Sequence, residues 1–141
     1  MTIVIINGPN LNLLGKREPE LYGATTFEDH LESLKAAFPD VEFIYFQSNS
    51  EGSIVSAIQR YGFSPEIDGI AVNPGAYAHY SYAIADAIRA VPAKVMEVHI
   101  SNIHARESFR ATSVTAPACV GVITGCGLYG YNMAVSYLLD K

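Results

Sequence analysis

The chain has 141 residues, half of them hydrophobic and 16% charged, with 9 basic against 14 acidic side chains for a net charge of −5. That length suits one domain with one core and no need of disulfides, and the hydrophobic fraction excludes disorder. No basic run exceeds Lys16-Arg17, no apolar run is long enough for a membrane span, and Cys119 and Cys126 show no metal or CxxC spacing, so nucleic-acid, membrane and disulfide-framework classes fall away and a reducing cytoplasm is expected.

In chain order, residues 2–7 read as an apolar strand closed by Asn7-Gly8-Pro9-Asn10. Residues 8–24 hold glycines and prolines without a period. A connection of that length exceeds the usual one and suggests a functional lid, placed at about 16–23. Thr25 and Glu28 fit a capping box, followed by Phe27, Leu31, Leu34 and Phe38 at helical spacing. Residues 41–47 are a β-branched and aromatic strand. Asn49 or Ser50 then caps a helix carrying Ile54, Val55, Ile58 and Tyr61 on one face.

Residues 67–73 form a third strand ending at Asn73-Pro74-Gly75, and a helix follows over about 79–90. A fourth strand spans 93–99, and an irregular stretch runs from Ser101 to Arg110. A fifth strand spans 118–124, and a last helix carries Tyr131, Val135, Leu138 and Leu139. Strands that are continuous apolar runs, separated by helices, predict a parallel sheet covered on both faces. The expected fold is a flavodoxin-like three-layer α/β sandwich, one domain over 1–141, with strand order 2-1-3-4-5.

In such sheets ligands bind beyond the carboxyl ends of the strands, at the switch point between strands 1 and 3. The unusual polar residues fall at that edge: Asn10 after strand 1, Asn73 after strand 3, Glu97 and His99 on strand 4. Asn7-Gly8-Pro9 or Asn73-Pro74-Gly75 alone reads as a turn; their convergence with a histidine reads as a site. Glu97 and His99 share a strand face, where a carboxylate favours and orients a protonated imidazole suited to general acid work. A solvated ion pair is the plain alternative.

Tyr22 stands in the long loop, five residues after Arg17. Ionising a tyrosine at pH 7 costs roughly 4 kcal/mol, which a desolvated arginine beside it could offset, making the phenolate a general base. His79 opens the third helix, where the dipole and N–H groups attract anions, and Ile100-Ser101-Asn102 offers the same if a short helix starts there. Arg106 and Arg110 add positive charge at this edge, which in an acidic protein suggests a small anionic substrate. P-loop, GxGxxG, GxSxG and HExxH patterns are absent. The residues alone leave open a flavodoxin-like binding module for a phosphate-bearing ligand or a partner protein, and a catalytically idle structural oligomer.

Taken together, these motifs resemble type II 3-dehydroquinate dehydratase. The matching stretches are Ile6 to Gly15, Arg17 to Gly23, Gln47-Ser48-Asn49, Glu51-Gly52, Asn73 to Tyr77 with His79, Glu97 to Glu107 with Phe109-Arg110, Gly121-Val122-Ile123 and Gly130-Tyr131. The resemblance implies a reversible anti elimination from 3-dehydroquinate to 3-dehydroshikimate through an enolate, without cofactor or metal. Tyr22 would be the base, His99 the acid oriented by Glu97, and Asn10 a stabiliser of the enolate. Arg17, assisted by Arg106, would lower the tyrosine pKa and stabilise the transition state. Asn73, His79 and Arg110 would hold substrate hydroxyls, and the Ile100-Ser101 backbone the carboxylate. Asp86 matches a position that reaches a neighbouring subunit's site in a homo-oligomer, typically a dodecamer built from trimers. The chain departs from the family pattern at Ser50, Tyr80, Ala111-Thr112, Cys126 and Leu128-Tyr129.

Overall fold

The structure, a computed structural model, describes residues 1–18, 20 and 24–140. Five strands form one parallel sheet: β1 (Thr2–Asn7), β2 (Glu42–Gln47), β3 (Gly69–Asn73), β4 (Val95–His99) and β5 (Gly121–Thr124). Their spatial order is β2-β1-β3-β4-β5, as the alternating strand and helix pattern predicts. Register brings Asn7 beside Asn73, and β4 ends with His99 beside Thr124, so the polar strand ends share one edge.

Alternation within the strands explains why they are apolar throughout. Ile3, Ile5, Ala71 and Val98 face α1 (Phe27–Ala37) and α4 (Tyr129–Leu139), where Phe27, Leu34, Tyr131, Val135 and Leu138 close the layer. Val4, Ile6, Ile70, Val72 and Val95 face α2 (Glu51–Gly62) and α3 (Tyr82–Ala90), packing on Ile54, Ile58, Ile84 and Ile88. Both faces of the central strands are thus fully removed from water. No described helix is long and apolar enough to cross a membrane.

Several boundaries differ from the periodicity reading. Thr26, not Thr25, caps α1, its hydroxyl accepting from the Asp29 N–H at 3.2 Å. Ser50 caps α2 through the Ser53 N–H, because Asn49 is used elsewhere: its Oδ1 accepts from the Asn10 N–H at 3.0 Å. The third helix begins at Tyr82 because Ser81 caps it by accepting from the Ile84 N–H at 3.1 Å. His79 therefore does not open a helix; it ends a short 3-10 turn over Gly75–His79. The strand expected over 118–124 starts at Gly121, since Ala116–Ala118 with Pro117 forms another 3-10 turn.

Candidate active site

The edge is drawn together by one close approach. A Cβ on Gly8 would lie 2.5 Å from the Pro74 carbonyl oxygen, so only glycine lets the β1 and β3 ends meet there. The Gly8 N–H donates to the Asn73 carbonyl at 2.7 Å, and the Gln47 amide donates to the Gly8 carbonyl at 3.1 Å. Asn10 follows in the left-handed region (φ 70°), a conformation asparagine tolerates. With the Gly8 and Asn10 N–H groups both engaged internally, this loop lacks the open amide cradle a phosphate requires.

Beneath the edge lies a buried polar network. Tyr131, wholly buried, donates to Asn7 Oδ1 at 2.8 Å and accepts from Asn73 Nδ2 at 3.0 Å. Asn73 Oδ1 in turn accepts from the Gly75 N–H at 3.1 Å. Burial pushes the Tyr131 phenol well above its ordinary value, so its proton stays in place for that donation.

On β4, Glu97 is fully buried and His99 nearly so. His99 Nε2 lies 2.7 Å from Glu97 Oε2, leaving Nδ1 as the other ring nitrogen. Ser113 donates to the same oxygen at 2.7 Å, and Thr115 donates to Oε1. Burial drives the Glu97 carboxyl upward, but the hydrogen bond and charge of His99, with the two hydroxyls, outweigh it and hold the group below its ordinary value. A carboxylate so satisfied remains an anion inside the fold.

His79 lies over His99 with ring centroids 6.1 Å apart, and its Nδ1 donates to the Thr112 carbonyl at 2.8 Å. Burial pushes the His79 imidazole below its ordinary value, with the charges of His99 and Arg110 acting the same way against the Thr112 hydrogen bond. The ring is thus a neutral group whose Nε2 can accept from a ligand hydroxyl.

Asn10, Arg17, Asn73, His79, His99, Ile100, Ser101, Arg106 and Arg110 all line one cleft. Arg106 donates to Ser101 Oγ at 3.1 Å, and its Nε lies 3.8 Å from Glu107. Arg110 donates to Glu107 at 3.2 Å and covers the Phe109 ring. Arg17 pairs with Glu18 at 2.9 Å. The end of β4 and the residue after it are tied to the turn that follows β5 by the Gly125 N–H to the His99 carbonyl and the Gly127 N–H to the Ile100 carbonyl. Nine of the twelve residues singled out from sequence thus meet at the cleft, with Glu97 behind His99.

Two others do not line it. Asp86 is exposed on the outer face of α3, 3.8 Å from Arg89. Tyr22 lies outside the described residues, as does part of the expected lid at 16–23. Sequence reading missed Ser113, Thr115 and Tyr131 as parts of the site. The alternation of small hydroxyl residues in Thr112-Ser113-Val114-Thr115, just ahead of β5, is the trace that could have marked the first two.

A carboxylate-held imidazole at the carboxyl edge of a flavodoxin-like sheet, beside an arginine-lined cleft, is the arrangement of an α/β enzyme whose cleft groups can exchange protons and meet a small anion. The comparisons narrow this. The family model described as Dehydroquinase class II matches residues 1–139. A 3-dehydroquinate dehydratase of Caldicellulosiruptor bescii is 55% identical over 140 residues, 98% of this chain and 96% of that protein. One from Clostridium perfringens is 52% identical over 143 residues, 100% of this chain and 99% of that protein. The crystal structure of type II dehydroquinase from Butyrivibrio crossotus superposes with a TM-score of 0.93 at 49% identity, covering 98% of this chain and 97% of that one. The chain belongs to the class II dehydroquinase family, and with it is a hydro-lyase.

Proposed function

We propose that this chain removes water from 3-dehydroquinate by anti elimination through an enolate, with Tyr22 as base and His99 as acid. Tyr22, as phenolate, takes a proton from C2, and the C2–H electron pair passes into the enolate. The enolate then expels the C1 hydroxyl, which leaves as water on receiving a proton from His99. A conjugated enone, 3-dehydroshikimate, results. Tyr22 ends protonated and His99 neutral, so a proton returns from one to the other before the next turnover.

The observation that carries this reading is the buried Glu97–His99 pair, whose ring faces a cleft lined by three arginines. Glu97 fixes the ring, and Arg17 and Arg106 supply the positive charge that lowers the cost of a phenolate and of an enolate. Asn10 stabilises the enolate oxygen. Asn73, His79 and Arg110 bind hydroxyls, and the amides at Ile100-Ser101 bind the carboxylate. The single domain with a lid at 16–23 and a homo-oligomer, a dodecamer of trimers, complete the proposal. Exposed Tyr129, Met133 and Tyr137, spaced four apart on α4, support self-association.

The direct test is growth of enone absorbance when the purified protein meets 3-dehydroquinate; a folded protein that produces none rejects the substrate. Tyr22→Phe is expected to lower kcat by at least about 10²-fold, the usual worth of a general base, while ligand affinity by calorimetry stays near wild type. Undiminished turnover in that variant rejects Tyr22 as base.

A further inference from the structure

Three hydrogen bonds converge on Glu97, and only one comes from the histidine that the elimination uses. The other two come from Ser113 and Thr115, on the segment that leads into β5. That segment is pinned from two sides: the Val114 N–H donates to the Ala78 carbonyl at 2.7 Å, and the Thr112 carbonyl receives His79. The hydroxyl directions follow from the bonding. Ser113 Oγ already accepts from the Ala116 N–H at 3.0 Å, so its own hydrogen is available to the carboxylate. Thr115 is fully buried; its hydroxyl meets Glu97 Oε1 and, at 3.2 Å, Ser113 Oγ, and of the two the carboxylate is the stronger and nearer acceptor.

A carboxylate and an imidazole in contact compete for one proton. An unsolvated carboxylate has a high proton affinity and would draw the proton from the ring. Hydrogen bonds donated to the carboxylate lower that affinity. We propose that Ser113 and Thr115 are positioning residues for the elimination: by donating to Glu97 they keep the proton of the pair on His99, where it can reach the leaving hydroxyl. The proposal rests on the reading of His99 as the acid.

The other ionisable groups around the pair are compatible with such a role. His79 lies over His99 from the turn after β3, and Arg106 and Arg110 line the same cleft from the segment after β4. Cys119 lies beyond Thr115, its thiol directed at the Thr115 carbonyl oxygen. Burial, with the charge of Glu97, pushes that thiol up to about 12, so it stays neutral across a practical assay range.

The test compares Thr115→Val, Thr115→Ser and Ser113→Ala with wild type, measuring kcat and KM across pH. Without the hydroxyl the pair binds its proton more tightly and releases it less readily. Thr115→Val is therefore expected to lose about tenfold in kcat, the order seen when a group supporting a functional side chain is removed, with KM within about twofold. The alkaline limb of its kcat profile should move to higher pH by about half a unit to one unit, as a property of the pair. Thr115→Ser should restore both. Ser113→Ala should change both in the same direction, and it carries the test alone if Thr115→Val does not fold. An alkaline limb that stays put or moves down, or a serine variant no better than valine, overturns the proposal. His99→Ala separates the two readings. Turnover retained there rejects the acid assignment itself; turnover lost there, with unmoved limbs in the hydroxyl variants, rejects only the role of Ser113 and Thr115.

Discussion

At the scale of single residues, Glu97 is a carboxylate held inside the fold, and it contributes part of the acid stability. Its folded-state carboxyl lies below its ordinary value despite burial, because His99, Thr115 and Ser113 stabilise the anion. A depressed carboxyl contributes stability that is complete above the unfolded value, about 4.3, and is lost as pH falls through the folded one. Glu97→Gln should therefore flatten the decline in urea midpoint between about pH 5 and 3, while lowering the midpoint at pH 7, since an amide cannot accept all three donors. A decline as steep as wild type would assign it to other carboxylates. Tyr131 makes a second case. Tyr131→Phe leaves Asn7 Oδ1 and Asn73 Nδ2 buried without that partner, at a cost of about 1–3 kcal/mol. Denaturant unfolding measures that loss, and a change below about 0.5 kcal/mol would mean the network is dispensable. Glu97 and His99 were legible in the sequence because two polar residues at a spacing of two interrupt an apolar strand end. Tyr131 was not, because its helical spacing marks it as core, which it also is.

At the scale of elements, the positions of β1 and β3 at the cleft depend on what Gly8 lacks. An added Cβ would meet the Pro74 carbonyl oxygen at 2.5 Å and its carbon at 2.7 Å, both backbone atoms that cannot rotate aside. Gly8→Ala should thus cost about 1–3 kcal/mol as an overpacking change. It should cost disproportionately more in kcat/KM, up to about 10²-fold, because Asn10 and Asn73 shift against His99. Parallel stability and rate measurements check this; an activity loss no larger than the stability loss predicts would remove the argument. The strands were readable because burial on both faces leaves unbroken apolar runs, as in Ile3-Val4-Ile5-Ile6. Helix starts were less so. Thr25 and Thr26 are adjacent, as are Asn49 and Ser50, and which side chain caps depends on tertiary partners, such as Asn10 engaging Asn49.

At the scale of the whole molecule, Asp86 is the residue that one chain leaves without a role. It is exposed on α3, with Arg89 at 3.8 Å, and it takes no part in lining the cleft of its own chain. Exposed large side chains elsewhere, Val120 and Val122 at the β5 edge and Tyr129, Met133 and Tyr137 on α4, fit a protein that covers them with further copies. If Asp86 completes a neighbour's site, Asp86→Ala alone should raise KM about tenfold, the worth of one hydrogen bond involving a charged group. Tyr22→Phe alone should be inactive. On the proposed assembly, the two chains refolded together in equal amounts would form mixed oligomers. There, a cleft with an intact Tyr22 belongs to an Asp86→Ala chain but can adjoin a Tyr22→Phe chain that still carries Asp86. A component with wild-type KM should then appear in the mixture, although neither parent shows it. Were Asp86 to act within its own chain, every cleft with a working Tyr22 would lack it, and the mixture would show the raised KM alone.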